Sequence, residues 1–258
     1  MTHDTFQILM DELDAWSRAG QTAVLWWRDD DAGAPCAALD VLLEMSDRHA
    51  VPCGLAVIPV RAEEPLAKRI DEAPHAWALQ HGFAHTNHAS GGVGAWELGL
   101  HRPVTAVLDD LRAGMSKLAG LFGDRFVPVV VPPWNRMAPE LLPRLPGLGF
   151  RGVSASYKRQ RPVPPDGLRV ADAHCDLLEW KKKQPAFFSG REKCVADLVE
   201  HLTDKRTGRV DFDEPTGVLT HHLEMDGDAW NFMDDLLSAT TAHPAAKWMS
   251  PADIWPER

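Results

Sequence analysis

The chain has 258 residues, and 45% of them are hydrophobic, which is enough for a single sizeable core. It carries 27 Lys and Arg against 37 Asp and Glu, which gives a formal net charge of −10. This charge balance argues against a nucleic-acid partner, because nucleic-acid binding needs a basic surface. The sequence contains no apolar run of about 18 residues, so we expect no membrane span.

Residues 1–20 predict a helix docked on the domain. They lack the basic start and the unbroken apolar stretch of a signal peptide. Phe6, Leu9, Met10, Leu13 and Trp16 instead fall on one helical face. The 4 cysteines of the chain are scattered and form no Cys-x-x-Cys pair. We therefore expect reduced thiols and a cytoplasmic protein.

From residue 22 onward, short apolar strands alternate with amphipathic helices. The predicted strands are TAVLWWRDD, PCGLAVIP, HAWALQHG, RFVPVVVPP, FRGVSAS, TGVLTHHLE and a short last one in KWMSPADIW. The predicted helices are PCAALDVLLEMSDRHA, EEPLAKRIDEA, HRPVTAVLDDLRAGMSKLAGLFG, APELLPRLPGLG, REKCVADLVEHLTD and DAWNFMDDLLSATTA. This alternation implies parallel pairing through right-handed crossovers. It predicts an α/β barrel formed by one domain over residues 1–258, with an irregular part at residues 155–190.

Polar clusters follow four of the predicted strands, at residues 29–31, 81–88, 132–135 and 221–222. In a βα barrel, the carboxyl ends of the strands carry the active site. Each cluster alone has an ordinary explanation, because aspartates cap helices and single histidines are often structural. The three adjacent aspartates repel one another unless a cation compensates them. Four clusters on one rim therefore favour a functional site.

The segment HGFAHTNH places His81, His85 and His88 at positions i, i+4 and i+7. On a helical turn these positions share one face, so their imidazoles can converge on one cation. Zinc binds imidazole together with carboxylate, which residues 29–31 can supply. The alternative is that one of these histidines binds a backbone carbonyl or orients a true ligand.

Five segments, in order along the chain, resemble motifs of the polysaccharide deacetylases, carbohydrate esterase family 4. RDDDAG resembles the TFDDG-type motif, HGFAH the H-(S/T)-x-x-H motif and VPPWN the R-x-P-Y/F segment. DLLEW is similar to the Asp-Trp motif and VLTHH to the terminal L-x-H motif. The resemblance implies a distorted (β/α)7 TIM-like barrel and a divalent metal, for which we expect Zn²⁺. It also implies hydrolysis of an N- or O-acetyl group on a sugar.

The resemblance implies a role for each matching residue. Asp30 takes the place of the catalytic base, and Asp31, His81 and His85 take the places of the metal ligands. A shift of one register in either motif would bring in the alternate ligands, Asp29 and His88.

Further residues are expected around the substrate. Trp134 falls where a backbone N–H contributes to the oxyanion hole, and His221 falls where the family has its general acid. Asn135, Arg28 and Trp180 are expected beside the substrate. Strand alternation allows only one of the two final histidines to point inward, and the motif favours His221.

The sequence also departs from the family pattern. Val130 stands where the family has the arginine that partners the catalytic aspartate, and Gly82 replaces a Ser or Thr. Arg28 or Arg136 is expected to substitute for that arginine. The departure leaves open a non-catalytic protein that binds a metal or a sugar. A metal-dependent amidohydrolase of a different C–N bond is a further alternative. As substrate we expect an acetylated sugar inside the cell, such as a precursor of a surface polysaccharide.

Overall fold

The computed structural model describes residues 5–157, 163–181 and 184–257. The first four residues of the predicted docked helix lie outside this part. The helices are α1 Thr5–Arg18, α2 Ala37–His49, α3 Glu64–Asp71, α4 Val104–Phe122, α5 Arg191–Arg206, α6 Gly227–Thr241 and α7 Pro251–Ile254. The strands are β1 Ala23–Ala32, β2 Cys53–Val57, β3 Ala76–His81, β4 Phe126–Val131, β5 Gly152–Val153, β6 Arg169–Val170, β7 Ala173–Asp176, β8 Leu178–Glu179, β9 Phe187–Phe188, β10 Thr216–Thr220 and β11 Ala246–Trp248.

The main sheet is parallel and curls into a distorted barrel. Its hydrogen-bonded order is β6-β5-β4-β3-β2-β1-β10-β7, and β11 pairs with the beginning of β1. A single parallel bridge between Ser156 and Ala173 connects the chain after β5 to β7. With this bridge, β1, β2, β3, β4, β5, β7 and β10 follow one another around a ring. The predicted α/β barrel is confirmed, and its weakest joint lies between β5 and β7.

Alternation along β1 divides the core into an inner and an outer layer. Trp26 points into the barrel, where it packs edge-on against Trp255 at 5.3 Å between ring centroids. Trp27 points outward into the large cluster formed with the helices. Both rings are fully buried. Because side chains on a strand alternate in this way, Arg28 and Asp30 continue the inner face of Trp26.

Helix α1 docks as the sequence predicts. Leu9, Leu13 and Trp16 are buried against the domain. Arg206 of α5 donates two hydrogen bonds to Glu12, at 2.8 and 2.9 Å. Apolar burial and this ion pair together fix the helix beside α5.

The predicted helix in APELLPRLPGLG is wrong in type. Two short 3₁₀ segments, Pro139–Arg144 and Pro146–Leu148, occupy this stretch. Pro143 and Pro146 lack the N–H that an α-helix needs in its interior, so no longer helix can form. Within the described residues, no helix combines the length and the apolar character needed to cross a membrane.

Candidate active site

The end of β1 presents two neighbouring carboxylates to the mouth of the barrel. In a regular strand, Asp30 and Asp31 would face opposite sides. Asp31 instead adopts a φ of 73°, and the pairing of β1 with β2 shifts register between Asp29 and Ala32. This bulge turns the chain, so that Asp30 and Asp31 both line the same cavity.

Asp31 meets His81 and His85 in a compact three-residue group. Its Oδ1 atom lies 3.3 Å from Nε2 of His81 and 3.3 Å from Nε2 of His85. His81 is the last residue of β3, and His85 lies in the loop that follows. The three ligand atoms lie within 4.8 Å of one another.

Three observations show that this group fits a tetrahedral dication. Ligand atoms about 2.0–2.1 Å from a zinc ion, at tetrahedral angles, lie about 3.3 Å apart. Nδ1 of His81 lies 2.9 Å from the carbonyl oxygen of Val131. Donation to that carbonyl places the proton on Nδ1 and leaves the Nε2 lone pair directed at the site. Oδ1 of Asp31 is buried and has no hydrogen-bond partner.

Asp31, His81 and His85 shift one another's pKa values. Burial by itself raises the pKa of Asp31, but the neighbouring His81 and His85 outweigh it, so the pKa lies well below its usual range. For His81, burial lowers the pKa and the Asp30 and Asp31 carboxylates raise it, with a net increase. Burial and His81 lower the pKa of His85. Binding of a metal here requires an ionised carboxylate and neutral imidazoles, because metal ligands bind in their deprotonated forms.

The histidines converge without the helical turn on which their spacing would place them on one face. The segment after His81 is an irregular loop, and the two histidines converge because Gly82 and His85 both have a φ of 55°. A Cβ at Gly82 would lie 1.9 Å from Oε2 of Glu97, so no larger residue fits in this conformation.

Glu97 holds this loop in place. Its carboxylate accepts hydrogen bonds from the backbone N–H groups of Phe83, Ala84 and Thr86, at 3.0, 2.7 and 3.3 Å. Its side chain is buried, and no motif in the sequence indicated this role. Prediction missed Glu97 because the residue contacts backbone far along the chain.

The alternate ligands do not join the group. Asp29 lies on the opposite face of β1, where its Oδ1 atom is 2.5 Å from Nδ1 of His222. Its Oδ2 atom accepts from the Thr220 hydroxyl at 2.7 Å and from the His222 N–H at 2.9 Å. His88 donates its backbone N–H to Trp96 and is not among the three grouped residues.

Arg28 forms an ion pair with Asp30 inside the barrel. It is fully buried, with its Nε atom 2.9 Å from Oδ1 of Asp30 and its Nη2 atom 3.1 Å from Oδ2. The same guanidinium donates to the Ser154 hydroxyl at 2.6 Å and to Oδ1 of Asn135 at 2.9 Å. These four contacts hold the Arg28 guanidinium in one orientation, and the guanidinium in turn orients the Asp30 carboxylate.

The opposite wall of the cavity is formed after β10 and β7. His221 lines the cavity with its Nε2 atom 4.0 Å from Oδ2 of Asp30, and the Trp180 ring contacts it edge-on at 4.7 Å. His222 points to the other face of β10, toward Asp29. Asp176, the last residue of β7, also lines the cavity, and burial raises its pKa.

The cavity has a volume of about 640 Å³. Trp134 and Asn135 border it in a tight loop where both have positive φ angles of 55° and 53°. The Asn135 and Arg136 N–H groups donate back to Pro132 and Pro133 within this loop. The lining residues are Asp30, Asp31, His81, His85, Trp134, Asn135, Arg136, Ser156, Asp176, Trp180 and His221.

A second histidine pair with a glutamate, formed by His174, His201 and Glu214, lies outside this cavity. Nδ1 of His174 accepts the backbone N–H of Gly217 at 2.9 Å. A neutral His174 therefore carries its proton on Nε2, which lies 3.9 Å from Oε1 of Glu214. Because this nitrogen has no lone pair to offer, the second group does not fit a metal.

Solved structures match the chain over most of its length, whereas no protein-family model and no curated protein match it. A structure described as a polysaccharide deacetylase from Mycobacterium smegmatis is 18% identical at a TM-score of 0.63, covering 91% of this chain and 89% of that one. A peptidoglycan deacetylase from Bacillus subtilis is 13% identical at a TM-score of 0.52, covering 91% and 90%. A family 4 acetyl xylan esterase from Clostridium thermocellum, in complex with cobalt, is 11% identical at a TM-score of 0.51, covering 90% and 89%. The chain therefore has the fold of the polysaccharide deacetylases and family 4 carbohydrate esterases.

Proposed function

We propose that this protein is a metal-dependent deacetylase that removes an acetyl group from an N- or O-acetylated sugar. One observation carries the proposal: Asp31, His81 and His85 converge at ligand distances beside an aspartate, Asp30, that a buried arginine holds in place. The deacetylase and esterase fold supports the same reaction class.

Asp31, His81 and His85 would hold the divalent metal, and their carboxylate and imidazole donors favour Zn²⁺. When bound, such an ion polarises the acetyl carbonyl and makes a water molecule more acidic. This role also explains why three adjacent aspartates are tolerated at the end of β1. Asp31 faces the cation, Asp30 faces Arg28 and Asp29 faces His222, so each carboxylate has its own positive partner.

The residues of the chain divide the proton transfers between them. Asp30 accepts the proton of the attacking water, while the Arg28 fork keeps its carboxylate oriented. The backbone N–H of Trp134 donates to the carbonyl oxygen as negative charge develops there. When the bond to the acetyl carbon breaks, His221 on the opposite wall donates a proton to the leaving amine or hydroxyl. The products are acetate and the deacetylated sugar.

The shape of the cavity supports a sugar as the substrate. The indole rings of Trp134 and Trp180 border it and offer flat apolar surfaces on which a pyranose ring can stack. A cavity of about 640 Å³ accommodates a sugar residue with its substituents. An acetylated saccharide, such as a precursor of a surface polysaccharide, is the substrate class we propose.

The contact between Arg28 and Asp30 supports a catalytic protein over the non-catalytic alternative. That alternative was based on the missing family arginine, and Arg28 provides a two-point ion pair in its place. The proposal is tested by measuring acetate release from a panel of N- and O-acetylated sugars, with metal-free and zinc-reconstituted protein. Zinc-dependent release supports the proposal. No release of acetate from any member by zinc-loaded protein contradicts it.

A further inference from the structure

Arg136 is a cationic residue in the cavity wall that the reaction above does not use. It follows Trp134 and Asn135 in the loop after β4, and it is one of the residues that line the cavity, together with Asp30 and His221. The two arginines at this mouth of the barrel have different surroundings. Arg28 is fully buried and paired with Asp30, whereas Arg136 is only partly buried.

The Arg136 guanidinium packs against the loop before α4, at Gly94, Ala95 and Trp96. Nη1 of Arg136 donates to the carbonyl oxygen of Ala95 at 3.3 Å, and the guanidinium carbon lies 5.8 Å from the centroid of the Trp96 ring. Gly94 makes room for it, because a Cβ there would lie 1.8 Å from Nη1. Gly94 also has a φ of 81°, so a side chain is disfavoured there on two grounds.

The contacts with this loop do not bring a carboxylate to the charge of Arg136. Across residues 5–157, 163–181 and 184–257, no carboxylate forms an ion pair with Arg136, although Arg102 on the same rim pairs with Asp110 at 2.6 Å. A guanidinium has five N–H donors, and the carbonyl of Ala95 takes one of them. The remaining donors include a second edge suited to two-point binding of a carboxylate or phosphate.

We propose that Arg136 selects substrates that carry an acidic group, a carboxylate or a phosphate, on the ring position next to the acetylated one. This inference rests on the proposed deacetylase function and adds its substrate class. The position of Arg136 supports it, because Arg136 lines the same cavity as Trp134, whose N–H we assign to the acetyl carbonyl.

The charge balance of the cavity favours such a substrate. The Asp30 carboxylate is already paired with Arg28, and Asp31 faces the cation site. Asp176 is the other acid of the wall, and burial raises its pKa. Although the whole chain has a net charge of −10, this cavity offers an unpaired positive group.

The test compares substrates that differ only in one charge. N-acetylmuramic acid is paired with its methyl ester, and N-acetylglucosamine 1-phosphate is paired with the methyl glycoside of N-acetylglucosamine. For each pair, kcat/KM of acetate release is measured with the zinc-loaded wild type and with Arg136→Gln, Arg136→Lys and Arg61→Gln. Arg61 is the matched control, because it is exposed, affects the same site only through its charge and does not line the cavity.

We expect the wild type to prefer the acidic member of at least one pair by about tenfold or more in kcat/KM, the effect of one charge-assisted contact. Arg136→Gln should lose this preference while keeping its activity on the neutral member. Arg136→Lys should recover part of it, and Arg61→Gln should keep it. The pair that shows the effect identifies the anion as carboxylate or phosphate. A wild type without preference, a preference that survives in Arg136→Gln, or an equal loss on both members overturns the proposal.

A binding measurement separates this inference from the proposed function. If zinc-loaded wild type releases no acetate from any of these sugars, the deacetylase proposal fails. Calorimetric titration of the two acidic sugars into wild type and Arg136→Gln then decides the anion proposal alone. A dissociation constant about tenfold larger for the variant supports it, and equal affinities overturn it.

Discussion

Arg28 and Asp30 lie two positions apart on β1, so both side chains point to the same face of the strand and form a two-point ion pair inside the barrel. The Nε and Nη2 atoms of Arg28 contact the two carboxylate oxygens at 2.9 and 3.1 Å. A base and its orienting partner are thus supplied by one strand. The strand places both side chains on one face, and hydrogen bonds from Arg28 to Ser154 and Asn135 hold the guanidinium in position.

The first prediction concerns this pair. Arg28→Lys keeps a positive charge but cannot reproduce the two-point contact, so kcat should fall by about tenfold to a hundredfold. In Arg28→Gln, kcat should fall further. This variant should also be destabilised by about 3–5 kcal/mol, because Asp30 is left as an unpaired buried charge. Steady-state kinetics measures kcat, elemental analysis measures the zinc content, and denaturant unfolding measures the free energy of unfolding. Zinc content should be unchanged, and loss of zinc in Arg28→Lys would contradict an orienting role.

The second prediction concerns the metal ligands. Purified wild type should bind about one zinc ion per chain, whereas Asp31→Ala and His85→Ala should bind much less, because each removes one of three donors. His88→Ala and His174→Ala are matched controls and should keep full occupancy. Elemental analysis after dialysis provides the measurement. Full occupancy in both ligand variants, or loss in His88→Ala alone, would move the metal site elsewhere.

The third prediction concerns Asp29 and His222. Burial alone lowers the pKa of His222, but the Asp29 carboxylate outweighs it and raises the pKa to about 9. Because the folded-state pKa exceeds the usual unfolded value, the pair stabilises the fold fully below a pH of about 6.5 and loses its effect as pH rises through about 9. The difference in unfolding free energy between wild type and Asp29→Asn should shrink over this interval.

The size and control of this effect follow from burial. Asp29→Asn should cost about 3–5 kcal/mol near pH 6, since it leaves the buried His222 without its partner. Asp234→Asn removes a surface partner of His49 and should cost less than about 1 kcal/mol. Urea unfolding across the pH range gives both values. A pH-independent difference for Asp29→Asn would show that the pair is not charged.

The sequence predicts the barrel well because its signals are local. Apolar strands alternate with amphipathic helices, and the four polar clusters follow strand ends that a parallel barrel must bring to one rim. The alternation of β10 likewise separates His221 from His222. These features can be predicted from the two-residue alternation of a strand and the direction of the chain.

Other features depend on contacts that local patterns do not contain. Residues 82–88 form an irregular loop and not a helical turn, because the Glu97 carboxylate accepts hydrogen bonds from three backbone N–H groups there. The positive φ angles of Asp31 and His85 direct their side chains to one point, and the sequence does not show which aspartate or histidine adopts such a backbone. The choice between Arg28 and Arg136 as partner of Asp30 also needed coordinates.

The fourth prediction concerns His221. Its Nε2 atom lies 4.0 Å from Asp30, on the far wall where a leaving group would depart. His221→Ala should lower turnover of sugar substrates by about a hundredfold or more with zinc content unchanged. The activated leaving groups of phenyl acetates need no proton, so His221→Ala should lose much less of its turnover on these substrates. An equal loss on activated and unactivated substrates would exclude the acid role.

The most direct test of the account is acetate release by Asp30→Asn, measured beside its zinc content. The substitution preserves shape and leaves Asp31, His81 and His85 in place, so the variant should bind about one zinc ion per chain. It removes the proton acceptor, so acetate release from a sugar that the wild type deacetylates should fall to about a hundredth or less. Zinc-loaded Asp30→Asn that releases acetate at the wild-type rate would contradict the account.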